Sequence, residues 1–161
     1  MNDKICSFSG HRAIPADAEP RLRLLLRRRI SALASEGCTA FLCGGAVGFD
    51  TLAAEEVLAE RVLRPEVTLS LALPCPDQDK SWPTAARRRF RRILAEADET
   101  ILISPEYHRY CMAQRNRFMV DHSSRLICYL TGETGGTAFT VRYALKAGIP
   151  VENLAMELDQ T

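Results

Sequence analysis

Short apolar, β-prone runs alternate with segments of helical period along this chain, and no other feature constrains the fold as much. Residues 5–8 form the first run, closed by Ser9 and Gly10. Residues 21–34 then place Leu22, Leu25, Leu26, Ile30 and Leu33 on one helical face, with arginines opposite. A strand at 40–43 leads to a helix at 48–64 with Leu52, Val57, Leu58 and Val62 turned inward. A strand at 67–73, stopped by Pro74 and Pro76, leads to a helix at 83–97 around Phe90, Ile93 and Leu94. Strands are expected at 100–103 and 126–130, a helix at 112–122, and a further helix from the 131–136 loop to Gly148. Residues 151–156 read as a last edge strand.

Strands alternating with helices build βαβ units, and apolar runs without a polar face suit a parallel sheet buried on both sides. The expectation is a single α/β domain over 1–161, a three-layer, Rossmann-like, doubly wound, mostly parallel sheet with helices on both faces. Apolar residues at 47% and charged residues at 25% are ordinary for such a domain. A formal charge of +1 gives no global pull toward nucleic acid, although 18 of the 21 cations are arginine. The densest basic run, Arg87 to Arg92 around Phe90, is read as a solvated helix face. No apolar stretch is long enough to span a membrane. Met1-Asn2-Asp3-Lys4 leads straight into the first strand without a signal-peptide pattern. The six cysteines are scattered, with no C-x-x-C pair. Reduced, structural thiols and a cytoplasmic location are therefore expected.

In a sheet of this kind the ligand crevice lies beyond the carboxyl ends of the strands. Gly10-His11-Arg12 follows the first strand and offers donors for an anion. Gly44-Gly45-Ala46-Val47-Gly48-Phe49-Asp50 follows the second and runs directly into a helix. Such a junction exposes backbone N–H groups at a helix N-terminus, which is what a phosphate needs. It matches neither G-x-G-x-x-G nor a P-loop with its lysine. Asp50 reads either as a cap or as an acceptor for a ribose hydroxyl. Trp82 could stack on a base or cover the core edge. Arg115, among apolar helical neighbours, reads either as a group aimed into a cleft or as a surface arginine with a snorkelling stem. Gly135, Gly136 and Thr137 open a helix as a second anion-binding junction, with Thr140 one turn further in. His11, His108 and His122 have no metal-ligand spacing, so no metal site is expected.

Five ordered motifs carry a family resemblance: Gly10-His11-Arg12; Gly44 to Asp50 with Ala53-Ala54-Glu55; Leu73-Pro74-Cys75-Pro76 through Trp82; Arg115-Asn116-Arg117-Phe118-Met119-Val120-Asp121; and Gly135 through Arg142. Together they resemble the YpsA-like branch of the SLOG superfamily, which also contains the DNA-processing protein DprA and the Lonely Guy phosphoribohydrolases. The resemblance spans nearly the whole chain. It implies a Rossmann-like sheet and a nucleotide-derived ligand. The Lonely Guy enzymes pair an arginine four positions before a methionine with a glutamate after a glycine-rich loop. Arg115 and Met119 match the first element, but Thr140 or Arg142 stands where the glutamate belongs. Cleaving an N-glycosidic bond needs a carboxylate beside the sugar. Asp50, Glu55 or Asp121 could replace it only if one of them reached the same point.

The primary expectation is therefore a sensor or binding module for a small nucleotide derivative, with no other cofactor identified. The alternatives are a nucleoside-phosphate hydrolase of Lonely Guy type and, less favoured, single-stranded nucleic-acid binding in the manner of DprA. No membrane partner is expected. Self-association stays open.

Overall fold

The computed structural model describes residues 4–159. Met1, Asn2 and Asp3, part of the start that reads as lacking a signal-peptide pattern, lie outside the described residues, as do Gln160 and Thr161. Six strands and six helices alternate: β1 (Ile5–Gly10), α1 (Glu19–Ser35), β2 (Ala40–Cys43), α2 (Phe49–Leu63), β3 (Thr68–Leu73), α3 (Thr84–Glu96), β4 (Glu99–Leu102), α4 (Cys111–Asp121), β5 (Arg125–Tyr129), α5 (Gly136–Ala147), β6 (Val151–Asn153) and α6 (Leu154–Leu158). The strands form one sheet in the order β4-β3-β2-β1-β5-β6. Every pairing is parallel, so the sheet is wholly rather than mostly parallel.

The period-2 alternation of the strands sorts the core onto two faces. Cys6, Phe8, Phe41, Cys43, Leu69, Leu71, Ile127 and Tyr129 point to one side and meet α1, α2, α3 and α6. Phe8 lies at the centre of that layer, stacked on Phe41 at 6.0 Å between ring centroids and set edge-on to Phe49 at 6.4 Å. Fully burying a ring of this kind stabilises the fold by about 1.5–3 kcal/mol. The intervening residues Leu42, Ala72, Leu126 and Cys128 face α4 and α5. The six cysteines are buried and unbridged.

Two sequence expectations fail locally. Val62 is 81% exposed rather than inward. It lies five residues after the buried Val57, which turns it roughly 140° away from that face. The last strand stops at Asn153 instead of running to 156. The Asn153 side chain exchanges hydrogen bonds with the backbone of Leu130 (3.0 and 2.9 Å) and accepts another from Ala155 N–H (3.1 Å). That cap turns the chain into α6.

Candidate functional site

The direction of strand succession reverses at β1, which has β2 on one side and β5 on the other. Such a switch point opens a crevice, because the loops on its two sides diverge. Here the crevice has two lobes that share Arg12 and Met112. The smaller lobe, about 240 Å³, takes Gly10, His11 and Arg12 from the end of β1, with Asp50 from α2. Its other walls carry Arg115 and Asn116 of α4 and Gly136 and Thr137 of α5. The larger lobe, about 510 Å³, lies toward the loop after β3 and includes Gln78, Lys80 and Tyr107.

Arg115 is only 4% exposed. Its Nη1 donates to the Gly44 carbonyl at 2.6 Å and its Nε to Asn116 Oδ1 at 2.9 Å. A surface arginine with a snorkelling stem is thereby excluded. Asp50, 5% exposed, does not cap α2. Gly48 holds the N-cap position and no side chain caps the helix. The carboxylate instead reaches back, its Oδ2 accepting from Ala46 N–H at 3.2 Å, while Oδ1 has no hydrogen-bond partner. Burial pushes the Asp50 carboxyl up to about 6, against the opposing pull of the Arg115 guanidinium and the Ala46 N–H. Burial likewise lowers the Arg115 pKa, with Asp50 opposing.

The glycines divide into two groups. At Gly48, with φ +82°, a Cβ would run into the backbone of Arg12, and at Gly10 it would run into the Phe49 ring. A Cβ on Gly44 would meet Arg115 Nη1 at 2.7 Å, and one on Gly45 (φ +71°) the Phe90 ring at 3.1 Å. These positions are glycine because protein packs against them, so they do not form the open cradle that the β2–α2 loop suggests in sequence. Gly135 and Gly136 differ: nothing lies within 4 Å of a Cβ at either position. Gly136 is the first residue of α5 and faces the smaller lobe.

Other expected site residues have structural duties. The His11 ring lies against the backbone of Thr131, with Thr131 N–H donating to Nε2 at 2.8 Å, which ties the ends of β1 and β5 together. Trp82 sits edge-on to Phe90 with ring centroids 5.3 Å apart and joins the core, so its ring does not line either lobe. Thr140 is buried and its hydroxyl donates to the Gly136 carbonyl at 2.9 Å within α5. Arg142 is exposed and bonds the Glu133 carbonyl at 3.1 Å. Of the three carboxylates considered, Glu55 is clamped by Arg23 and Arg89, and Asp121 accepts from the Tyr143 hydroxyl at 2.8 Å. Only Asp50 lines the cleft. The Arg87 to Arg92 run is more than a solvated face: Arg87 and Arg91 pair with the buried Asp79, anchoring the loop after β3, and Arg89 pairs with Glu55.

Met112, Asn116, Gln78, Lys80 and Tyr107 escaped the sequence reading as cleft residues. Gln78, Lys80 and Tyr107 follow strand ends, so the topological rule could have found them. Met112 and Asn116 flank Arg115 by one helical turn and by one residue, which only a three-dimensional arrangement makes significant.

Comparison with known proteins gives a consistent picture. The sequence profile of the YspA SLOG family matches residues 16–154. The uncharacterized SPbeta prophage-derived protein YoqJ of Bacillus subtilis is 30% identical over 118 residues, 66% of this chain and 69% of YoqJ. A UPF0398 protein of Halalkalibacterium halodurans is 27% identical over 128 residues, 78% of this chain and 68% of that protein. Among solved structures, DNA processing protein A of Helicobacter pylori, studied for its single-stranded DNA binding mode, superposes with a TM-score of 0.68 at 20% identity, covering 99% of this chain and 73% of that one. The Streptococcus pneumoniae counterpart gives 0.65 at 17% identity, covering 92% of this chain and 49% of its own. At these identities the structures establish a common fold.

Proposed function

This chain belongs to the YspA SLOG family, and from that premise we propose that it binds a nucleotide or nucleotide-derived phosphate ligand in the two-lobed cleft, as a binding or sensing module. The observation that carries the reading is the opening turn of α5. Its first residue, Gly136, lines the smaller lobe with open space where a side chain would stand, and Arg12 and Arg115 line the same lobe. Unobstructed N–H groups at the positive end of a helix, with guanidinium groups nearby, suit a phosphate. Hydrolysis of Lonely Guy type is the second reading: Thr140 is bonded into its own helix and Arg142 bonds the Glu133 carbonyl, which leaves Asp50, of the three carboxylates considered, as the one in the cleft to serve it. The formal charge of +1 and a cleft of limited volume favour a small ligand over a nucleic-acid strand.

Calorimetry with nucleoside mono- and diphosphates of the four bases, and with a single-stranded oligonucleotide, tests the proposal. We expect a nucleotide to bind and Gly136→Leu to weaken it at least about tenfold, because the side chain fills the anion's place, with cooperative unfolding retained. Binding of the oligonucleotide alone, with a steep salt dependence, would replace this reading with nucleic-acid recognition. Silence with every nucleotide would end it.

A further inference from the structure

We infer that Asp50 reads a sugar hydroxyl: the residue lines the smaller lobe, and its Oδ1, buried without a partner, turns to accept a hydrogen bond from the ligand, which makes the cleft prefer ribonucleotides to their deoxy counterparts. The inference rests on the nucleotide reading above and specifies which part of the ligand meets Asp50.

A carboxylate oxygen buried without a partner is exceptional in a folded protein and calls for a reason. Asp50 is 5% exposed, one oxygen holding Ala46 N–H and the other holding nothing. Capping is not the reason, since α2 has no side-chain cap. Pairing with Arg115 is not the reason either, since that guanidinium is directed by Nη1 to the Gly44 carbonyl and by Nε to Asn116. A cation is disfavoured by the same guanidinium in the same lobe. Among the described residues no group of three or more His, Cys, Asp or Glu is placed to hold a metal.

The remaining candidate is a neutral donor brought by the ligand. A phosphate oxygen cannot serve, being an acceptor of like charge. Asp50 and Gly136 line one small lobe, so the donor must lie close to the phosphate on α5. In a nucleotide the donors nearest the phosphate are the sugar hydroxyls, while the amino groups of the base lie beyond the sugar. The adjoining lobe of about 510 Å³, with Gln78, Lys80 and Tyr107, offers room for that base.

The test compares AMP, GMP, CMP and UMP with their 2′-deoxy and 3′-deoxy forms by calorimetry, on the wild type, Asp50→Asn and Asp50→Ser. For the ribonucleotide that binds best, removing one of the two hydroxyls should weaken the wild type at least about tenfold, the range for a hydrogen bond to a charged group. In either variant the ribo-to-deoxy ratio should fall toward one. Equal wild-type affinity for ribo and both deoxy forms overturns the inference and leaves the nucleotide reading standing. A ratio preserved in the folded variants overturns the assignment to Asp50. If no nucleotide binds the wild type, the inference falls together with the reading it rests on.

Discussion

Asp50 destabilises the fold that holds it. Burial moves its carboxyl from 3.8 to about 6, so between those values the native state binds the proton more tightly than the unfolded chain. As far as this group is concerned, stability is greatest below about pH 4 and declines as the pH rises to about 6. At about 1.4 kcal/mol per pKa unit the loss amounts to about 3 kcal/mol. Asp50→Asn keeps an oxygen for Ala46 N–H and removes the charge. Its melting temperature should therefore match the wild type near pH 4 and exceed it at pH 7. Arg115, Arg12 and the buried Cys43 thiol are the ionisable groups that interact with Asp50, and burial holds the Cys43 thiol well above its usual value, away from that window. A gap that stays constant from pH 4 to 7 would contradict the burial argument.

At the level of elements, a glycine caps the start of α2, Gly48, and another opens α5, Gly136, yet the two positions respond oppositely to a methyl group. Gly48→Ala puts a Cβ against the Arg12 backbone at φ +82° and should lower the urea midpoint, costing more than about 1 kcal/mol. Gly136→Ala meets nothing and, as the first residue of a twelve-residue helix, should raise the midpoint by up to about 1 kcal/mol. Equal effects at the two positions would erase the distinction between packed and open glycines. Sequence cannot draw that distinction, because an open cradle and a tight contact select the same residue. The strands were legible for the converse reason: a sheet covered on both faces needs continuous apolar runs, and β1 to β5 are close to where those runs fall. The end of β6 was hidden because Asn153 answers to Leu130, distant in sequence. Trp82 was ambiguous because an indole serves a base or a core equally well, and Phe90 decided it. Arg115 was recognisable from its apolar neighbours, whereas its acceptor, the Gly44 carbonyl, belongs to a strand-end loop 71 residues away.

Across the whole molecule, the two faces of the sheet are unequal. Helices α1, α2, α3 and α6 cover the larger core, while α4 and α5 cover the smaller one and bring Arg115 and Gly136 to the cleft. The α1–α2–α3 side is tied by Arg23, Arg27 and Arg89 around Glu55 and Glu56. Burial alone would raise the Glu55 pKa, but hydrogen bonds from Arg89 and Arg23 hold it below the usual range. Among the described residues no helix is long and apolar enough to cross a membrane. The pairing of β1 with β5, Cys6 opposite Arg125 through Gly10 opposite Tyr129, also sets an order of events in time. β1 can find β2 early, but its other edge waits until residues near 125–129 leave the ribosome, and long loops close slowly. Refolding followed by pulsed hydrogen exchange should protect the β2 and β3 amides before those of Leu126 to Tyr129; simultaneous protection would contradict this. Two walls of the cleft come from α4 and α5, on either side of that late strand. A half-made chain therefore carries most of its core before the smaller lobe of the cleft has the walls that hold Arg115 and Gly136.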